Sequence, residues 1–69
     1  MSMYLNVLKK KYEAEIEIIQ ANLHNYLNNS VGVADHPDIM KDIDDLVAAL
    51  ANAQEKLETV INYKTDYSV

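Results

Sequence analysis

The fold is decided by the stretch IMKDIDDLVAALANAQEKLETV, residues 39–60, where apolar residues recur at alternating steps of four and three. This spacing holds for three heptads and keeps the apolar side chains on one side of a helix, as in coiled-coil packing. We therefore predict an amphipathic helix over residues 37–63. Its stripe consists of Ile39, Ile43, Leu46, Leu50, Ala53, Leu57 and Val60.

A second amphipathic helix precedes it, over residues 3–29. This segment contains no Gly or Pro, and Ser2 stands where its side chain can accept a backbone N–H bond as an N-cap. Apolar residues again recur at steps of three and four, which places them on one side of a helix. The stripe consists of Leu5, Leu8, Tyr12, Ile16, Ile19, Leu23 and Tyr26.

The residues between the two helices form a predicted loop over residues 30–36. Gly32 and Pro37, the single glycine and the single proline, both fall in this region. Proline suits the first position of a helix because its missing N–H would be unpaired there, so Pro37 is the predicted start of the second helix. The last residues, 64–69, are predicted to be a fraying tail.

The two stripes match each other when the helices run antiparallel. Facing residues then have numbers that add to a nearly constant sum, and the seven pairs give 65 or 66. The large Tyr12 faces the small Ala53, as close packing requires. We predict an all-α, single-domain fold over residues 1–69, an antiparallel two-helix hairpin with coiled-coil-like packing.

A second apolar band lies beside each stripe and is the candidate interface. Because a 69-residue chain without cysteine has little core and no disulfide, we expect another apolar surface to cover these bands. If both bands share one side of the hairpin, two copies stack into a four-helix bundle, so a homo-oligomer, most simply a dimer, is favoured. A monomer with a partly apolar flank and a docking face for another protein are the alternatives. The candidate interface residues are Tyr4, Val7, Ile18, Met40, Val47 and Ile61.

The charge balance restricts the partners. The chain has 6 Lys, no Arg and 11 acidic residues, for a net charge of −5, so we expect no direct binding to nucleic acid. The run Lys9–Lys11 lies across the predicted hairpin from Glu55 and Glu58, which favours ion pairs between the helices. No apolar run is long enough to cross a membrane, and we expect a cytoplasmic protein.

The sequence offers no catalytic, cofactor or metal site. His24 and His36 are the only histidines, whereas a zinc site needs three or four ligands in fixed geometry. The acids Asp42, Asp44 and Asp45 lack the glycine and the terminal glutamate of a calcium loop. Because a two-helix hairpin encloses no pocket in which pKa values could be shifted, we expect that the protein is not an enzyme.

Two further functions stay open beside a self-associating interaction or accessory module. One is an acidic decoy that inhibits a host nucleic-acid-handling protein by binding its basic site. Its binding residues would be Asp35, Asp38, Asp42, Asp44 and Asp45. The other is a small-ligand sponge with a pocket between subunits. The salt response separates the decoy from an apolar interface, because only the decoy loses its partner steeply as salt rises.

The segment VGVADHP, residues 31–37, and the second helix through Leu57 resemble small uncharacterised proteins of tailed bacteriophages, including marine ones. The resemblance implies a phage-encoded helical protein that acts in the cytoplasm of its host. It carries no catalytic residue, cofactor or ligand set to this chain.

Overall fold

The computed structural model describes residues 2–28 and 38–67, the last four by backbone alone. In these ranges the chain forms two helices, α1 (Met3–Asn28) and α2 (Ile39–Tyr67), which pack against each other, and no strand. The predicted all-α helical hairpin is thereby confirmed. The Cα trace measures 52 × 15 × 15 Å, with a radius of gyration of 15.6 Å. Because a compact domain of this length has a radius of about 11 Å, the hairpin is a rod.

Both helices begin at capping residues that precede them. The backbone N–H of Tyr4 donates to Oγ of Ser2 over 3.2 Å, which confirms the predicted N-cap. At the start of α2 the backbone N–H of Lys41 donates to Oδ1 of Asp38 over 2.9 Å. Asp38 is therefore the N-cap, and the first helical residue is Ile39, two positions after the predicted start at Pro37.

The end of α2 also differs from the prediction. α1 is described as far as Asn28, and its predicted end at Asn29 lies outside the described residues. α2 continues to Tyr67, four residues past the predicted end at Tyr63, so most of the predicted tail is helical in backbone. No helix-breaking residue occurs between residues 64 and 67, which explains why the helix can continue. The predicted loop over residues 30–36, Pro37 itself and residues 68–69 lie outside the described residues.

The seam between the helices follows the two predicted stripes. Every stripe residue on both helices is at least half-buried, as the spacing predicts. Full burial is confined to Ala53, which is 2% exposed, and Val60, which is 6% exposed, and no residue of α1 is buried. A single pair of helices thus covers its own apolar stripes only in part.

Two side-chain contacts join the helices across the seam. The Tyr26 hydroxyl donates to Oδ2 of Asp42 over 3.0 Å, and the Lys56 ammonium lies 5.6 Å from the ring centroid of Tyr12. The numbers in both contacts add to 68, about one helical turn beyond the predicted pairs of Tyr12 and Tyr26. The offset has a simple cause: a helical side chain leans toward the N-terminus of its own helix, and the N-terminus of α1 lies beside the C-terminal part of α2.

Candidate functional site

One side of the hairpin carries two open grooves between the helices, and we call it the groove face. The first groove, about 430 Å³, is lined by Asn22, Tyr26, Asp42, Asp45 and Leu46. The second, about 340 Å³, is lined by Tyr12, Asn52, Glu55, Lys56, Thr59 and Val60. These linings fix which side chains of each helix point to this face. We call the opposite side the back face.

All six side chains predicted as an interface are exposed. On α1 the exposed fractions are 77% for Tyr4, 58% for Val7 and 62% for Ile18. On α2, Met40 is 72% exposed, and Val47 and Ile61 are exposed to a smaller degree. Large apolar side chains with this exposure form rows along the rod, and apolar surface arranged in this way marks binding faces.

The α1 row lies on the groove face. Ile18 precedes the groove residue Asn22 by four positions, which brings the two side chains to the same side of the helix. Val7 precedes Ile18 by eleven positions, close to three full turns, and Tyr4 is one turn before Val7. The α1 row therefore flanks the grooves along about half of the rod.

The α2 row lies on the back face. Val47 and Ile61 are each nine positions from a groove residue, Lys56 and Asn52 respectively. Nine residues are two and a half turns, so these side chains point away from the grooves. Met40 is seven positions before Val47 and shares its side. The structure therefore brings the two predicted bands to opposite faces, and the condition for stacking both onto one partner surface is not met.

The structure adds two large apolar side chains to these faces. Leu27, 65% exposed, follows Ile18 by nine positions and so lies on the back face, level with Met40. Tyr63, 53% exposed, follows Lys56 by one heptad and lies on the groove face. The sequence contains the signal for both residues. Their spacing from Ile18 and Lys56 places each of them outside the buried stripe of its helix.

The first groove contains a hydrogen bond between the helices, from the Tyr26 hydroxyl to Asp42. Partial burial raises the pKa of the Tyr26 phenol, and its hydrogen bond to Asp42 and the charge of that carboxylate raise the pKa further. The protonated phenol is the donor that this contact needs, so the shift and the geometry agree. Tyr26 and Asp42 thus join the two helices on the groove face, near the C-terminal end of α1 and the N-terminal end of α2.

Three of the five acidic residues proposed for a decoy have structural roles at the start of α2. Asp38 caps the helix, Asp42 accepts the hydrogen bond from Tyr26, and Asp45 forms an ion pair with Lys41 at 2.9 Å. The hydrogen bond to Asp45 raises the pKa of the Lys41 ammonium. Asp44 is exposed, and Asp35 lies outside the described residues.

The cationic run of α1 forms a different contact from the one predicted. Lys11 forms a 4.0 Å ion pair with Glu15 of its own helix, instead of the expected pair with a carboxylate of α2. A residue four positions along the same helix lies on the same side of that helix and within reach, and an exposed pair of this kind contributes little to stability.

No metal or membrane site emerges from the described ranges. His24 is exposed and contacts Asn28 of its own helix at 3.1 Å, and His36 lies outside those ranges. No group of three or more His, Cys, Asp or Glu side chains is placed to hold a metal ion there. Neither α1 nor α2 has the length and apolar character that a membrane-crossing helix needs.

No family model, curated protein or solved structure matches this chain. The resemblance to small phage proteins therefore stays a prediction, and the function must be inferred from the two faces.

Proposed function

We propose that the protein is a non-enzymatic helical hairpin that associates with further copies of itself and acts as a small protein–protein interaction module. One observation supports this more than any other. α1 has no buried residue along its 26-residue length, while large apolar side chains lie exposed on both faces of the hairpin. A second copy laid along one of these faces would cover an apolar row and deepen the burial of the seam.

The exposed area supports the same proposal. The chain exposes 5267 Å², whereas a compact monomer of its mass exposes about 4,400 Å². The excess is close to the area of about 800 Å² that each partner contributes to a standard interface. An association of ordinary size would therefore bring the exposed area down to that of a typical small protein.

The oligomeric state tests the proposal directly. We expect sedimentation equilibrium and native mass spectrometry to show a dimer at micromolar concentration, with a melting temperature that rises with protein concentration. The association should persist in 1 M salt because apolar burial carries it. A monomer at millimolar concentration, with a melting temperature independent of concentration, would contradict the proposal.

A further inference from the structure

We propose that the back face is the dimer interface, with a two-fold axis parallel to the rod, so that α1 of each copy packs against α2 of the other. This inference rests on the proposed self-association and adds the face, the direction of the axis and the residue pairs. The partner is a second copy of this chain.

On α2 the back face carries the more continuous of the two apolar rows, and on α1 it carries the exposed Leu27. Met40, Val47 and Ile61 occupy one heptad position of α2, and the uncharged Gln54 fills the place between the last two. Rows with this spacing stay aligned along a partner helix. On the groove face, in contrast, the charged pair of Lys11 and Glu15 interrupts the α1 row, and most of the side chains on the α2 side of both grooves are polar.

The symmetry of such a dimer fixes its register. A rotation about an axis parallel to the helices moves no residue along that axis, so each residue stays at its own height on the rod. A residue of α2 then faces, on the partner, the α1 residues that lie at its height within its own hairpin. Within the hairpin those numbers add to between 65 and 68, so the same sums hold across the interface. Neighbouring helices are antiparallel, as in up-and-down four-helix bundles.

This register produces complementary pairs on the back face. Met40 meets the partner's Leu27, so the largest exposed apolar side chains of this face cover each other. Glu58 meets the partner's Lys9, and Asp44 meets the partner's His24. By symmetry each pair occurs twice, and every charged pair joins an acid to a base or to a histidine.

An axis perpendicular to the rod would give a different result on the same face. It would lay α2 on the partner's α2, and the pairing that matches Met40 with the partner's Ile61 also sets Asp44 against the partner's Glu58. Like charges set opposite each other across an interface oppose association. The charge pattern of the face therefore selects the parallel axis.

The test uses two charge-reversal variants of the full chain, Lys9→Glu and Glu58→Lys. Each alone places like charges at both copies of the pair, and we expect its dimer dissociation constant to rise roughly tenfold. An equimolar mixture should form the mixed dimer with near wild-type affinity, because each carboxylate of the first variant then meets an ammonium of the second. Within each chain the two side chains remain like-charged, so recovery on mixing requires contact between chains. Native mass spectrometry with one variant labelled with nitrogen-15 distinguishes the mixed dimer.

Further variants show whether a failure concerns the face or the association itself. Val47→Glu should weaken the dimer roughly 100-fold, whereas Ile18→Glu, the same change on the groove face, should leave it within about threefold. The assignment of the interface to the back face is wrong if Ile18→Glu dissociates the dimer and Val47→Glu does not. The proposed parallel axis is wrong if mixing the two charge-reversal variants does not restore dimer affinity, or if Glu58→Lys alone tightens the dimer. A monomeric wild-type chain would instead overturn the proposed function.

Discussion

The groove face and the back face of this hairpin are built from the same two helices but differ in what crosses them. On the groove face two side-chain contacts tie the helices together, at Tyr26 with Asp42 and at Tyr12 with Lys56. The back face has an uncharged heptad row along α2 and an exposed leucine on α1. The comparison shows that the hairpin separates the polar contacts between its own helices from the exposed apolar row of α2.

The largest expected effect comes from a substitution in the seam, the buried contact between the helices that lies between the two faces. Ala53 is 2% exposed in the seam, and we expect Ala53→Glu to unfold the hairpin because it buries a charge without a partner. Far-ultraviolet circular dichroism should show loss of helix at 25 °C. Ala48→Glu makes the same change at an exposed position of α2 and should leave the helical signal unchanged. Equal spectra for the two variants would show that the seam does not run through Ala53.

An intermediate effect sharpens the contrast between the faces. Gln54→Leu completes the apolar row of the back face, and we expect the dimer dissociation constant to fall roughly tenfold because two more leucines become buried. Lys11→Leu fills the corresponding gap in the groove-face row and serves as the matched control. Sedimentation equilibrium should show tighter association for the first variant alone. A stronger effect of Lys11→Leu would assign the interface to the groove face.

The smallest effect concerns the groove face alone. Tyr26→Phe removes the hydrogen bond to Asp42, so the melting temperature should fall by a few degrees while the dimer affinity stays unchanged. Because folding raises the pKa of Tyr26, its contribution is complete below the unfolded value of about 10 and is lost as pH rises through the higher folded value. Thermal melts between pH 8 and pH 11 should therefore show a steeper loss of stability for the wild type than for Tyr26→Phe. Parallel pH curves would exclude the linkage.

The fold could be predicted from the sequence because hydrophobic periodicity is a local property. The heptad steps from Ile39 to Val60 determine the buried side of α2 whatever the helix packs against, and Ser2 could be recognised as a cap by its position. The start of α2 was predicted two residues early, at Pro37, because the cap is Asp38, whose carboxylate accepts the backbone N–H of Lys41.

The arrangement of the exposed rows needed the handedness of the helices as well as their spacing. Tyr4 comes one position before its stripe residue Leu5, whereas Met40 comes one position after Ile39, so the two lie on opposite sides of their stripes. In an antiparallel pair equivalent sides of the two helices share a face, which brings these two rows to opposite faces. The contacts of Tyr26 and Lys56 identify the face that the two helices share on the groove side. The spacing within one chain sets which side chains share a face but does not encode what covers that face.

The two tyrosine contacts have a mechanical consequence. Tyr12 and Tyr26 are fourteen residues apart on α1, and their partners Lys56 and Asp42 are fourteen apart on α2. The two contacts therefore share one register, with residue numbers that add to 68, and lie about 21 Å apart along the rod. Sliding one helix along the other would disrupt both contacts at once. A shift of seven residues would replace Lys56 by Ala49 opposite Tyr12, or, in the other direction, Asp42 by Ala49 opposite Tyr26. Two chemically different contacts, a cation over an aromatic ring and a hydroxyl on a carboxylate, thus both oppose sliding of the helices.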